Sequence, residues 1–231
     1  MTLDVARADG VATLTLDRPE SRNALTTDLL GRLRAALADI RDDPETRVVV
    51  LTGSGTAFCG GADLKELAGT PSPRPALARV RLVTEVIAAL RNLEQPSIAA
   101  VNGAAHGAGW GLALACDVCF AVADASFSLP EVRKGLRLPA AIVTRLVEVV
   151  GAVRAAEIAL GGGSYSVEDG RTAGWVTRGY PDATTLAEHA SAFAVELAGH
   201  PLGAVSTVKQ VLRRSTPGEL TPPPEYAWNE E

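Results

Sequence analysis

Residues that carry redox, metal or disulfide chemistry are scarce in this chain. Of 231 residues, aromatics make up only 4%, with three histidines, three cysteines and one methionine. Cys59, Cys116 and Cys119 are an odd set in apolar contexts. They argue against a disulfide framework and read as reduced, buried thiols of a cytosolic protein. Cys116-x-x-Cys119 has the spacing of a metal pair, but no second Cys/His pair completes a zinc site, so no metal is expected. No apolar run approaches the ~18 residues of a membrane span. No basic segment followed by an apolar one opens the chain, so no signal peptide is read. Positive charge is not in excess: 22 Lys and Arg stand against 27 Asp and Glu, a net −5. That balance gives no reason to expect nucleic acid or an anionic membrane as a partner. Neither Gly53-x-Gly55 nor Gly107-x-Gly109 completes a G-x-G-x-x-G dinucleotide fingerprint, and no G-x-S-x-G nucleophile elbow occurs.

What the chain does have is apolar sequence, 47% of its residues, and length enough for one domain with a full core. It also has two stretches of one design. Residues 97–118, SIAAVNGAAHGAGWGLALACDV, open as a buried-strand run, break at Asn102-Gly103, pass Gly107, Gly109 and Gly111, and continue as a helix-like segment from Leu112 to Cys116. Residues 48–67, VVVLTGSGTAFCGGADLKEL, repeat that order: β-branched run, glycines, then a helix-like segment from Asp63. A strand, glycine turn and helix present free backbone N–H groups at a helix N-terminus. One such turn is most simply a packed corner. Two of them can aim two N–H groups at one point, the geometry of an oxyanion hole.

AFCGGADLKEL (57–67), IAAVNGAAHGAGWGLALACDV (98–118), FSLPEVRKGL (127–136) and RPESRNAL (18–25) together resemble the crotonase family, the enoyl-CoA hydratase/isomerase superfamily, in order and spacing. The similarity runs from about residue 3 to about residue 214. It implies an α/β fold of the ClpP/crotonase type: a spiral of ββα units with surrounding helices and strands in two roughly perpendicular sheets. It further implies an acyl-CoA thioester as substrate, with CoA as part of that substrate and no other cofactor. The implied assembly is a homotrimer or dimer of trimers; the cytoplasmic location and the lack of a nucleic-acid or membrane partner are the expectations drawn above from the cysteines and the charge.

The residues themselves predict a hairpin of strands at 2–7 and 11–16 around Asp9-Gly10. Thr26 or Thr27 is positioned to cap a helix with Leu29, Leu30, Leu33, Leu37 and Ile40 on one face, stopped by Asp42-Asp43-Pro44. A Pro-rich loop, 69–75, precedes a helix over about 76–92 whose stripe is Leu77, Val80, Val83, Ile87 and Leu90. Strands are expected at 97–101, 117–121 and 126–129, and helices at 140–149, 152–160, 184–199 and 202–214, with a loop-rich 164–180 around a short helix. The division expected is a spiral core over 1–200 and a C-terminal helical region over 201–231, short or truncated beside the family, with a Pro-rich acidic tail at 216–231.

Glu131 is the leading candidate for chemistry. Pro130 fixes the backbone before it, and Phe127, Leu129, Val132 and Leu136 surround it, which favours a raised carboxyl pKa and a better base near neutral pH. By resemblance it aligns with the family's catalytic glutamate. The two oxyanion N–H donors carry over to Ala62 and Ala108, where small residues let a thioester approach the backbone. Substrate and CoA contacts carry over to Arg22, Asn23, Ala24, Gly61, Asp63, Leu64 and Lys65. Gly111 departs from the two-glutamate hydratases, which carry their second catalytic glutamate there. Trp110, beside it, fills space or shapes the acyl pocket, and Gly111 and His106 are the other acyl-pocket candidates. Arg133, Lys134 and Arg137 form a basic cluster that reads equally as a solvated face or a ligand site. The expected activity is hydration or double-bond isomerisation of an enoyl-CoA. The alternative is a non-catalytic CoA-thioester-binding or assembly protein of the same fold.

Overall fold

The structure is a computed structural model that describes residues 2–68 and 73–214. The tail expected at 216–231 and residues 69–72 of the Pro-rich loop lie outside the described residues. Leu3–Ala8 (β1) and Val11–Leu16 (β2) form the expected antiparallel hairpin, with Asp9 and Gly10 at positive φ in its turn. Helix α1 (Thr27–Asp42) is capped by Thr26, whose hydroxyl accepts from Leu29 N at 3.1 Å. It buries the five predicted residues Leu29, Leu30, Leu33, Leu37 and Ile40.

Three successive turns of chain then follow one plan: a strand in one sheet, a short strand in a second, and then a helix or helix-like turn. The pairs are β3 (Val48–Gly53) with β4 (Ala57–Cys59), β5 (Ser97–Val101) with β6 (Ala104–His106), and β7 (Val118–Val122) with β8 (Ser126–Ser128). Helix α2 (Leu64–Ala68) and helix α3 (Pro73–Arg91) lie between the first two pairs, and α4 (Ala108–Ala115) between the second and third. Next come α5 (Ala140–Val150), α6 (Ala152–Gly161), β9 (Ser164–Ser166), α7 (Val167–Ala173), β10 (Arg178–Tyr180), α8 (Ala183–Ala198) and α9 (Leu202–Arg214). The larger sheet has order β1-β2-β3-β5-β7-β10, parallel apart from the β1/β2 hairpin. The smaller has order β4-β6-β8-β9, with β4, β6 and β8 parallel.

The three-residue strands inside the glycine turns were not legible as strands, and the second glycine turn is shorter than its sequence predicts. Helix α4 begins at Ala108, so Gly109 and Gly111 are helical. All eight α4 residues are buried, and a Cβ at Gly109 would lie 2.7 Å from the Cβ of Cys59. Close helix–strand contact, not turn formation, requires that glycine. Helix α8 covers one face of the larger sheet, where Val11, Thr13, Val50 and Thr52 turn toward it. By strand alternation Leu14, Val49 and Leu51 turn to the other face and enter the main core. Among the described residues no helix is long and apolar enough to cross a membrane.

Candidate functional site

Strands β4, β6 and β8 are parallel neighbours, and the chain leaves each in the same direction. Ala62, Ala108 and Glu131 follow the C-terminal ends of these strands, at Cys59, His106 and Ser128 respectively. Adjacent strand ends bring together residues far apart in sequence. A Cβ built on Gly61 would lie 3.6 Å from Ala108 N.

Both alanine amides are directed away from internal partners. Leu25 forms a parallel bridge with Ala62, in which Leu25 N donates to Gly61 O at 2.7 Å and Asp63 N donates to Leu25 O at 3.1 Å. In that pattern the amide of Ala62 itself points to the other side. Gly61 has φ +86°, and a Cβ on it would sit 2.6 Å from His106 O, so glycine is required there. Ala108 is the first residue of α4, so its amide has no intrahelical acceptor and lies at the positive end of the helix dipole. Gly107 N donates to Ser128 O at 2.8 Å, which fixes this helix start to the end of β8.

Glu131 is held by its backbone. Its carbonyl accepts Lys134 N at 3.0 Å and Leu136 N at 2.9 Å as the chain makes a single 3-10 turn. Its carboxylate lies against Gly107, where any Cβ would collide with Oε1. Gly107, at φ +55°, is therefore a positioning residue that the sequence did not reveal. Oε2 of Glu131 is buried with no hydrogen-bond partner among the described residues. Burial pushes this carboxyl above its ordinary range, against the smaller opposing effects of a backbone amide and Lys134.

Two spaces meet at these groups. A mainly apolar cavity of about 430 Å³ is lined by Ala62, Ala108, Glu131, Leu77, Val80 and Val83, among others. Leu77, Val80 and Val83 of the predicted stripe thus face this cavity, and Leu77 is 57% exposed. On the other side of Ala62, a groove of about 490 Å³ is bordered by Arg18, Arg22, Lys65 and Lys134, with Ala24, Leu64 and His106. Glu20 and Asp63 also line it, and Asp63 pairs with Arg18, which leaves Arg22, Lys65 and Lys134 as the cations that suit a polyanionic ligand such as the phosphates of CoA. A recess of about 40 Å³, bounded by Gly61, Ala62, Gly107, Glu131 and Lys134, lies between the two.

Several predicted contacts are corrected. Asn23 is fully buried at φ +54°; its Oδ1 accepts Arg18 N at 2.8 Å, and its Nδ2 donates to Ser54 O at 2.9 Å and Ala57 O at 2.8 Å. Its side chain ties loops together and does not border the groove. Asp63 borders the groove, but its Oδ1 accepts the amides of Lys65 and Glu66, capping α2, and its Oδ2 pairs with Arg18 at 3.0 Å. Burial works to raise its pKa, but these amides and the Arg18 guanidinium outweigh that and hold the carboxyl below its usual range. None of the three acyl-pocket candidates lines the apolar cavity. Trp110 is fully buried among Phe127, Tyr165 and Trp175, with ring centroids 5.2–6.2 Å away. A Cβ on Gly111 would lie 2.7 Å from Ile142 Cδ1 and 3.3 Å from Ile87 Cδ1, so side chains of α5 and α3 fill that place. His106 faces the basic groove, with Nε2 3.2 Å from Ser126 Oγ. Burial, with Arg22 and Lys134 nearby, lowers its pKa and keeps the ring neutral near pH 7. Burial also pushes the Cys119 thiol up to about 12 and raises Cys116, so neither ionises near neutral pH.

The enoyl-CoA hydratase/isomerase family profile matches residues 6–222. The chain is 39% identical over 215 residues to the 2,3-dehydroadipyl-CoA hydratase of Escherichia coli, covering 92% of this chain and 82% of that one. Among solved structures, an enoyl-CoA hydratase from Bacillus anthracis superposes with a TM-score of 0.88 at 33% identity, covering 93% of this chain and 83% of the other. A monofunctional enoyl-CoA isomerase from Mycobacterium smegmatis superposes with a TM-score of 0.77 at 34% identity, covering 92% of both chains. With the strand order, the paired glycine turns and the matched length in agreement, the chain belongs to the enoyl-CoA hydratase/isomerase family and is an enzyme of that kind.

Proposed function

We propose that this enzyme holds the thioester carbonyl of an enoyl-CoA between the N–H groups of Ala62 and Ala108 and moves a proton along the acyl chain with Glu131 as its one carboxylate. The reaction favoured is isomerisation of a 3-enoyl-CoA to the 2-enoyl-CoA. Glu131 takes a proton from C2, and the resulting dienolate oxygen accepts hydrogen bonds from the two amides. The protonated carboxyl then returns the proton to C4 as the double bond shifts. A carboxyl kept from water is a stronger base than a solvated one, and preset N–H donors favour the charge that develops on oxygen. CoA is held as part of the substrate, its phosphates along Arg22, Lys65 and Lys134, with no further cofactor. Cytoplasmic location and assembly as trimers belong to the same reading.

The observation that carries it is at Gly111. Two-carboxylate hydratases place their second glutamate at this position, and here Ile142 occupies the space beside the glycine. Hydration by a single carboxylate is the second reading, favoured by the likeness to the Escherichia coli hydratase. The two separate on mass: isomerisation leaves it unchanged, whereas hydration adds 18 Da, the mass of one water. We expect turnover of a 3-enoyl-CoA to exceed that of crotonyl-CoA at least tenfold. Faster hydration of crotonyl-CoA would overturn the isomerase assignment, and no turnover of either would favour a binding protein.

A further inference from the structure

The three basic residues after Glu131 diverge. Arg133 turns to α6, donating to Gly161 O at 2.7 Å and packing on Gly162. Lys134 borders the basic groove and the recess. Arg137 borders the apolar cavity and neither of the other two spaces. The wall that carries it starts at the reacting end. Leu136, tied by its amide to Glu131 O, lines both the recess and the cavity, whereas Arg137 and Pro139 line the cavity alone. Arg137 thus borders the acyl cavity without bordering the recess at Glu131.

Two arginines border this cavity, and their states differ. Arg79 is buried and already neutralised: it pairs with Glu66 at 2.9 Å and donates to the carbonyls of Leu25 and Asp63. Arg137 is exposed and has no ion pair or hydrogen bond among the described residues. A purely hydrocarbon chain would have no use for a guanidinium on that wall. A carboxylate entering a mainly apolar cavity, by contrast, requires a cation to replace its hydration. Arginine supplies a planar, two-pronged donor of the right shape.

Resting on the enoyl-CoA reading above, we propose that Arg137 is a specificity-determining residue that receives a carboxylate at the far end of the acyl chain. The preferred substrates are then CoA monothioesters of unsaturated dicarboxylic acids.

The test is calorimetric binding of two saturated six-carbon ligands, the CoA monothioester of hexanedioic acid and hexanoyl-CoA, to the wild-type protein, Arg137→Gln and Arg137→Lys. The wild type should bind the diacid thioester about tenfold more tightly. That ratio should fall to near one in Arg137→Gln and recover in part in Arg137→Lys. Equal affinities in the wild type, or a ratio unaltered in Arg137→Gln, would overturn the proposal. So would a matching loss of affinity for free CoA, which would place the arginine on the phosphates. If both ligands bind as expected but their unsaturated counterparts are not turned over, the catalytic reading fails and the arginine assignment stands. If neither thioester binds, both fall together.

Discussion

At the residue scale the proposed chemistry rests on one carboxylate and two amides, and each can be altered alone. Glu131→Gln keeps the shape and removes the base. Turnover should drop roughly 10²–10⁴-fold, the usual weight of general acid–base catalysis, while CoA affinity measured by calorimetry persists. The same substitution has a stability signature. Burial raises the folded-state pKa of Glu131 above that of a solvated glutamate. Between those two values the folded protein keeps a proton that the unfolded chain has released, so stability falls as pH rises through that window. Glu131→Gln should therefore raise Tm at pH 8 and leave it unaltered at pH 3.5; a scan at both pH values checks this. The wild-type rate should fall on acidification through that raised pKa, because only the ionised form is a base. Ala108→Pro addresses an amide. Ala108 opens α4, and proline is well tolerated at the first helical position. The variant should keep its circular dichroism yet lose about 10²-fold or more in kcat, the cost of one oxyanion donor. Full activity in a folded Ala108→Pro protein would exclude this N–H as a donor.

At the scale of elements, α5 decides whether a second carboxylate can exist. Because Ile142 lies against Gly111, a single Gly111→Glu substitution forces a charged side chain into filled core. It should cost about 1–3 kcal/mol in urea denaturation from overpacking alone, and confer no hydration. Ile142→Ala combined with Gly111→Glu removes the obstructing atoms. The pair should be less destabilised than the sum of the single changes, since the two residues touch. The sequence showed the missing glutamate but not Ile142, which belongs to a helix 31 residues further on. The short strands were hidden for a related reason. Ala57–Cys59 and Ala104–His106 are too short to show a periodicity and exist because they pair with each other. The long strands and helices, with full apolar periods, were legible. Asn23 was misassigned because its role is set by carbonyls of the β3–β4 turn and β4, which no local pattern announces.

At the scale of the whole molecule, α9 is tied to the core through a polar cluster in which Lys209, Gln95 and Ser97 are buried and Asp117 reaches water. Lys209 Nζ lies 2.7 Å from Asp117 Oδ2 and donates to Gln95 O at 2.7 Å, while that same carboxylate oxygen accepts both Ser97 N and Ser97 Oγ at 2.8 Å. Lys209 is only 5% exposed, so Lys209→Ala leaves the Asp117 carboxylate without its charge partner. Asp117 stays exposed to water and keeps its two Ser97 donors, so about 1–3 kcal/mol of stability should be lost in chemical denaturation, most of it from the buried Lys209–Gln95 contact. This tether was not legible: the α9 segment reads as an ordinary amphipathic helix, and the positions of Asp117 and Gln95 emerge only when the parallel strands are laid side by side. The order of the four motif segments was enough to place the spiral. The meeting of Ala62, Ala108 and Glu131 at three adjacent strand ends required the second sheet itself.

The ring cluster around Trp110 gives this molecule a spectroscopic property. Trp110 and Trp175 have centroids 5.2 Å apart at an interplanar angle of 63°, close enough for their indole transitions to couple. Trp110 sits two residues beyond Ala108 on a helix whose eight residues are all buried. A ligand oxygen bound at the Ala108 amide, as proposed above, lies two residues from one member of the coupled pair. Near-ultraviolet dichroism of the native protein should then record occupancy of the site directly, with no added chromophore.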